Sequence, residues 1–394
     1  MKILKLLFSP GEADMARRIP AKPVRLPVLA RRLGMPADEL DGKMTDMAQR
    51  GLVLDFYQND RRYLMLAPIV VGFFEFTFMR TRDDMPMAEL AKLFHEYMFE
   101  NEAFARSIFQ KDTQIGRSLV REEALCAEDH TEILDWERAS SIVKDADHVA
   151  VSLCACRHKA SHLGTACEAP QDLCLTLNTA APMMVRNGMA REVSNDEGMR
   201  ILERAKEAGL AQTGDNVKNA VSYICNCCGC CCGMMNAVRH LNIKNAIVTS
   251  NWLMEIDLEK CKGCGKCVKA CPIDAIALEE KTDNGRARKW AVRDEELCLG
   301  CGVCQGACKK GAITMRARDK RVFTPEDVYD KTVRMAIERG KLANLIFDEP
   351  EELGYRALGR VVSALESTPP VKAAMAIKPL RSAFLDRVVR KARG

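Results

Sequence analysis

The sequence predicts an α+β chain of several domains, and three observations carry that expectation. The length of 394 residues is too great for one ordinary core and suggests two to four domains. Helical patterns and strand-like runs are both present along the chain. Cysteine is concentrated: nineteen occur, eighteen of them between Cys154 and Cys308, with Cys126 apart. A hydrophobic content of 47% with 29% charged residues is that of a globular chain and excludes wholesale disorder.

Val24 to Leu33 and Ala37 to Arg50 carry helical patterns, with Gly34 and Gly51 as stops. Leu52 to Tyr57, a polar turn at Asn59-Asp60, and Tyr63 to Leu66 read as a β-hairpin. This order makes residues 1–82 a winged-helix-like domain. Residues 83–147 read as a helical connector, with the pattern running from Ala88 to Ile108. A cysteine-rich cluster-binding domain is expected over 148–250, opened by the strand-like run Val149 to Leu153. Inside it, Ser194 and Glu197 predict a capping box for a helix ending near Gly209, and Val221 to Ile224 predicts a strand leading into the densest cysteines. Residues 251–318 hold a duplicated unit. Residues 319–394 form a helical C-terminal region with a basic tail, opened by Thr324 as N-cap and Pro325 at the first helical position, and interrupted at Thr368-Pro369-Pro370.

So many thiols suit disulfides, zinc or iron–sulfur clusters. Disulfides need an oxidising compartment and therefore export. The N-terminal Met1 to Pro10 has only a short apolar stretch and no cleavage site before Glu12-Ala13-Asp14. The longest apolar stretch, Tyr63 to Met79, is broken by Pro68, Gly72 and Glu75 and falls short of a membrane span. The expectation is a cytoplasmic chain, or one associated with the cytoplasmic side of a membrane, whose reduced thiols hold metal.

The internal repeat decides which metal. Cys261-Lys262-Gly263-Cys264-Gly265-Lys266-Cys267 recurs as Cys298-Leu299-Gly300-Cys301-Gly302-Val303-Cys304, and Ala270-Cys271 matches Ala307-Cys308. Each copy has the spacing C-x2-C-x2-C-x3-C, in which three thiolates wrap one cubane and the fourth reaches the other. The two sets are then Cys261, Cys264, Cys267 and Cys308, and Cys298, Cys301, Cys304 and Cys271. Zinc would need two separate four-thiolate sites. The segment resembles a bacterial two-[4Fe–4S] ferredoxin domain over about 65 residues of the chain. It departs from that pattern after the fourth cysteine: Pro272 stands in the first copy and Lys309 in the second, followed by Lys310. Positive charge there favours a reduced cluster. A solvated surface pair is the plainer reading.

Two further cysteine groups lie upstream. Cys154-Ala155-Cys156-Arg157 precedes Cys167 and Cys174, and in an extended segment Cys154 and Cys156 point to the same side. These four predict a third [4Fe–4S] site, with buried, unrelated thiols as the alternative. His158 and His162 lie beside it as ligands, as neighbours of ligands or as surface residues. The second group is Cys225, Cys227, Cys228, Cys230, Cys231 and Cys232. Six thiols exceed what one cubane needs, so Cys225, Cys227, Cys228, Cys231 and Cys232 are candidates for another cluster or for sharing with a neighbouring site. The Cys-Cys-Gly triplets at Cys227 and Cys231 resemble modules of heterodisulfide reductases, which need further cysteines at longer spacing. The whole arrangement resembles a family of multi-cysteine [4Fe–4S] proteins from anaerobic prokaryotes.

That resemblance implies electron transfer through several [4Fe–4S] clusters between a redox enzyme and a carrier. No G-x-G-x-x-G, P-loop or H-E-x-x-H motif appears, so a flavin or nicotinamide partner is expected as a separate chain. The alternatives are a reductase with its substrate site at Cys225–Cys232 and a redox-sensing regulator. Against the regulator, Ala37 to Arg50 carries four acidic residues and two basic ones, the wrong balance for a groove lined with phosphates. No specific nucleic-acid partner is expected. The formal charge of +5 also shrinks once each cluster with its thiolates adds roughly −2. Finally, residues 355–394 hold nine basic residues against Glu366 and Asp386. Leu380, Phe384, Leu385, Val388 and Val389 share one helical face there. Such a helix suits an acidic partner or an anionic membrane surface, and equally a packed helix with a solvated basic face.

Overall fold

The computed structural model describes residues 1–20, 22–126, 133–283 and 286–342, with 345 and 368 besides. The basic amphipathic tail expected over 371–394 lies outside the described residues. The chain divides into two compact units, one of residues 7–68 and 328–394, the other of 1–6 and 69–327.

A short helix, α1 (Lys2–Leu7), opens the chain, and α2 (Pro10–Ala16) follows. The Ser9 hydroxyl accepts from the Glu12 N–H while the Glu12 carboxylate accepts from the Ser9 N–H, a reciprocal cap. β1 (Val24–Arg25) runs directly into α3 (Leu26–Leu33). The helical pattern read from Val24 therefore begins two residues too early. Val24 and Arg25 pair with Leu64 and Tyr63, and Pro27 in the first turn fixes the helix start after them. α4 (Ala37–Gln49) and the hairpin β2 (Val53–Gln58) and β3 (Arg61–Leu66) complete a sheet of order β1-β3-β2. Asn59 and Asp60 take φ of 49° and 56°, the left-handed pair that a two-residue hairpin turn requires. Leu29, Leu40, Met44, Met47, Leu52 and Leu64 are fully buried between helices and sheet. Arg62 in β3 reaches the α4 carboxylate Asp41 at 2.7 Å and the buried Asp55 at 3.1 Å.

From residue 69 onward the larger unit carries α5 (Phe74–Phe76), α6 (Met87–His95) and α7 (Glu102–Phe109). The single pattern from Ala88 to Ile108 is divided at Asn101, whose φ of −92° and ψ of 79° are not helical. The connector is not purely helical either, because β4 (Gly116–Ser118) pairs with residues 213–215. After α8 (Ala139–Lys144) come β5 (Val149–Ser152), α9 (Ala155–His162), β6 (Cys174–Leu177), α10 (Ala180–Arg186), β7 (Arg191–Val193), α11 (Asn195–Glu207), β8 (Ala211–Asp215), β9 (Tyr223–Cys227) and α12 (Gly233–Arg239). The six strands form an antiparallel sheet of order β4-β8-β9-β6-β5-β7. At α11 only half of the expected capping box forms. Ser194 Oγ accepts from the Glu197 N–H at 3.2 Å, but the Glu197 carboxylate turns to Arg191 at 2.6 Å, a charge-assisted partner that outcompetes a neutral amide.

Strand alternation gives this sheet two faces. Val149, Val151, Leu175, Leu177 and Ile224 join Val143, Ile201 and Leu202 of α8 and α11 in an aliphatic core. The intervening positions, Cys174 and Thr176 on β6 and Tyr223, Cys225 and Cys227 on β9, line a cavity on the other side.

The duplicated segment follows: β10 (Trp252–Ile256), α13 (Lys266–Ala270), β11 (Ile276–Asp283), β12 (Arg286–Arg293), α14 (Val303–Ala307) and β13 (Ile313–Ala317). β10 pairs with β13, and β11 with β12 down to the closing pair Asp283 and Arg286. Residues 284–285 between them lie outside the described residues. Trp252, Met254, Ile276, Ile313 and Met315 form its core, joined by Val120 and Ala124 from the connector. The final helix, α15 (Val328–Glu338), starts later than Thr324 suggests. Residues just before it are tied to the sheet unit, with the Pro325 and Glu326 carbonyls accepting from the N–H groups of Lys218 and Asn219 at 2.9 Å each. Among the described residues no helix is long and apolar enough to cross a membrane.

Gly300 shows how tightly the second repeat is packed. Its φ is +68°, and an added Cβ would lie 2.2 Å from both Ser250 Oγ and the Trp252 carbonyl. Gly311, at φ +61°, has nothing within 4 Å of that position. Gly300→Ala should therefore lower the thermal unfolding midpoint well beyond Gly311→Ala, which carries only the backbone strain. Equal midpoints for the two variants would show that the close approach is not a constraint.

Candidate metal centres

In the duplicated segment the cysteines gather into two sets. One cavity is lined by Cys261, Cys264, Cys267 and Cys308, the other by Cys271, Cys298, Cys301 and Cys304. Each set takes three thiols from one repeat and the fourth from the other. The helix following each tight loop delivers this exchange: α13 leads into Cys271 and α14 into Cys308. The thiols of the second set are the more deeply buried, with Cys298, Cys301 and Cys304 all buried, whereas Cys264 of the first set is exposed. Burial pushes the Cys301 thiol up to about 12, with Cys271 and Cys298 adding to the rise. Crowded, buried thiols cannot all ionise without a compensating cation, so the donor set fits an iron cluster. Arginines stiffen this site through backbone carbonyls. Arg318 Nη2 donates to the Cys298 carbonyl at 2.6 Å, and the Arg121 N–H to the Cys301 carbonyl at 3.1 Å. Lys310 lines the first cavity, together with Lys262 and Lys266. Lys309 and Lys310 are both exposed.

Residues 260–312 match the family model of the 4Fe-4S dicluster domain. The segment is ferredoxin-like and holds two [4Fe–4S] clusters. A stretch of 38 residues is 45% identical to "Ferredoxin-3" of Rhodobacter capsulatus, covering 10% of this chain and 38% of that protein. No solved structure matches the chain.

The upstream cysteines fall into sets that spacing did not anticipate. Cys154, Cys156, Cys174, Cys225, Cys227 and Cys232 form a closed ring of neighbouring thiols. In order round the ring, Cys154 neighbours Cys156, then come Cys232, Cys227, Cys225 and Cys174, which returns to Cys154. Cys225 and Cys227 share a face of β9. Cys154 and Cys156 do not lie on a common extended segment as expected, because α9 begins between them. Cys167 is a correction to the expected quartet. It sits instead with Cys228 and Cys231, at 3.7 and 3.9 Å between sulfurs. Cys230 joins these three although spacing gave no reason to single it out.

All six ring thiols line a cavity of about 180 Å³. Arg157 from Cys154-Ala155-Cys156-Arg157 is wholly buried beside it. Its Nη1 donates to the Asn226 carbonyl at 3.0 Å and lies 3.9 Å from Cys228 Sγ, while its Nε and Nη2 have no partner. Burial alone pulls Arg157 down, but the thiols Cys154, Cys228 and Cys174 more than reverse that. A buried guanidinium with two orphaned donors amid a ring of thiols fits an anionic metal–sulfur group. His158 and His162 take no part in either set. His158 Nδ1 bonds the Phe78 carbonyl at 2.8 Å, and His162 packs on the His158 ring.

Across the cavity, Lys159 lies over the rings of Phe99 and Phe74, at 5.2 and 5.8 Å. Glu75 accepts from the Gly72 N–H at 3.1 Å, and burial pushes its carboxyl up to about 8. Neither residue carried a motif. The only sequence signal was an acid within an apolar stretch. In the unfolded chain this carboxyl ionises near 4.5, so between about 4.5 and about 8 the folded chain holds a proton the unfolded chain has lost. Stability at this site therefore falls as pH rises through that window. Glu75→Gln should gain on the parent protein from about pH 5 to about pH 8, as read by thermal midpoints at both. An advantage that does not change with pH would place the ordinary value on Glu75.

Proposed function

We propose that this chain is an electron-transfer protein, carrying electrons through several iron–sulfur clusters between a redox enzyme and a carrier. The observation that carries the reading is the pairing, in one compact unit, of two four-cysteine cavities with a six-thiol ring. Iron–sulfur clusters supply one-electron transfer. Cys261, Cys264, Cys267 and Cys308 are the ligands of one ferredoxin-like cluster, and Cys298, Cys301, Cys304 and Cys271 of the other. The ring of Cys154, Cys156, Cys174, Cys225, Cys227 and Cys232 holds a third cluster, oriented by Arg157. Two features support a continuous route. Cys304 and Cys267, from the two ferredoxin-like sets, lie close enough to perturb one another. Gly229, beside Cys228, meets the backbone of Pro272, beside Cys271, so closely that a Cβ would lie 2.4 Å from its carbonyl oxygen. The wider resemblance to multi-cysteine [4Fe–4S] proteins of anaerobic prokaryotes supports the same role.

Anaerobically purified protein should contain clearly more than the roughly eight irons of two cubanes. Cys308→Ser should damage the cluster of Cys261, Cys264 and Cys267 while the Cys298 cluster keeps its reduced-state paramagnetic signal. An iron content of only about eight removes the third cluster. Loss of the Cys298 signal alone reverses the ligand assignment.

The donor and acceptor are separate chains, a flavin enzyme among them, and the basic tail after Pro379 docks on an acidic partner or on the cytoplasmic face of an anionic membrane. The charge balance of residues 355–394 supports this. Deleting residues 371–394 should leave iron content and potentials unchanged and weaken co-purification with partner or anionic vesicles. Undiminished association would refute docking by the tail.

A further inference from the structure

The four cysteines of residues 154–232 that lie outside the ring have a geometry of their own. Cys167, Cys228, Cys230 and Cys231 bring their sulfur atoms within 4.8 Å of one another. Neighbouring pairs lie at 3.7 Å (Cys167 to Cys228), 3.9 Å (Cys231 to Cys167) and 3.7 Å (Cys231 to Cys230). Among the described residues this is the one group of three or more metal-ligating side chains packed so closely. The six-thiol ring and the two ferredoxin-like sets are more open, as thiolates spread over the corners of a polynuclear cluster must be.

The spacing selects the nuclearity. Four thiolates at about 2.3 Å from one tetrahedral ion lie about 3.8 Å from each other, the separation of the three pairs given above, and the other three pairs stay within 4.8 Å. A cubane set between the same sulfurs would force them apart. We propose that Cys167, Cys228, Cys230 and Cys231 bind a single tetrahedral zinc ion, distinct from the iron clusters.

The local backbone agrees. Cys228 and Cys231 stand at C-x2-C spacing, the usual spacing of a structural zinc loop. Within the loop, the Cys231 N–H points at Cys228 Sγ and the Cys167 N–H at Cys231 Sγ, bonds that turn each sulfur toward a common centre. Arg157 Nη1, 3.9 Å from Cys228 Sγ, offsets part of the charge of four thiolates on a divalent ion. With four protein ligands the site is coordinatively closed, which makes it a structural ion and not a catalytic one. Its position gives it work to do. Three of its ligands lie between the ring residues Cys227 and Cys232, and the fourth lies in the segment joining α9 to β6. The ion therefore clamps both sides of the six-thiol ring and holds Gly229 against Pro272.

The test uses the full chain purified anaerobically, with zinc and iron measured separately, so it does not depend on whether the ring holds a third iron cluster. Elemental analysis should find about one zinc per chain, and zinc-edge X-ray absorption a shell of four sulfurs at about 2.3 Å. Cys230→Ser alters the one exposed ligand and should lose most of its zinc to a mild chelator while keeping the visible absorption of the ferredoxin-like clusters. Absence of zinc from the parent protein overturns the proposal, as does a zinc shell containing nitrogen or oxygen. So does mononuclear iron in its place by Mössbauer spectroscopy, or a disulfide within the quartet by mass spectrometry. Full zinc retention by Cys230→Ser overturns it too. Should that variant fail to fold, the absorption spectrum of the parent protein decides alone.

Discussion

The packing of the larger unit depends on one electrostatic constraint: thiols placed side by side, away from water, cannot all become thiolates without a cation among them. Without a metal, burial and mutual repulsion push the Cys301 and Cys304 thiols well above the ordinary cysteine value. Metal ions reverse that balance by supplying positive charge at the point where the sulfurs converge. Arg157, Arg121 and Arg318 contribute at the margins, two of them chiefly through backbone carbonyls that fix the loops. The cores around the cysteines are thus frames that aim sulfur atoms. In the ferredoxin-like segment the metal–ligand bonds supply the energy that keeps those atoms together.

The six-stranded sheet distributes the task by its period of two. One face is aliphatic and buries against α8 and α11, so the register of β5, β6 and β9 is pinned by Val149, Val151, Leu175, Leu177 and Ile224. Once that face is fixed, Cys174, Cys225 and Cys227 have no choice of side. A one-residue slip of β9 would bury the cysteines in the aliphatic core and present Ile224 and Asn226 to the cavity. In the duplicated segment short helices do the equivalent work, each carrying the last cysteine of its repeat across to the other site.

Much of this was legible in the sequence where chemistry is local. The C-x2-C-x2-C-x3-C repeats name their own partners because a tight loop leaves its thiols few places to go. The hairpin at Asn59-Asp60 is equally local. Legibility failed where partners are distant. Cys154, Cys156, Cys167 and Cys174 look like one quartet within a short span, yet Cys167 leaves it for residues 61 positions away and β9 supplies its replacements. Proximity in sequence misleads here because the strand order brings β6 beside β9, a pairing that no local pattern encodes. The roles of Glu75 and Arg157 were not legible for a related reason, since they come from burial rather than from position in the sequence. The half-formed cap at Ser194 is a smaller case, in which Arg191 won a carboxylate that the capping pattern had assigned elsewhere.

The contact of Cys167 with Cys228 also bears on the order of assembly. It closes a chain segment with a sequence separation of 61 residues, and the entropy lost in closing a loop grows only slowly with its length. Most of the cost of bringing the two cysteine-rich stretches together is met by that first closure. After it, Cys154, Cys156 and Cys174 lie on one side and Cys225, Cys227 and Cys232 on the other, each within a short tether of the joined point. Their effective concentration toward one another is then high before any of them is bound. A chain that closes the quartet first therefore narrows the set of wrong sulfur pairings still open to the ring.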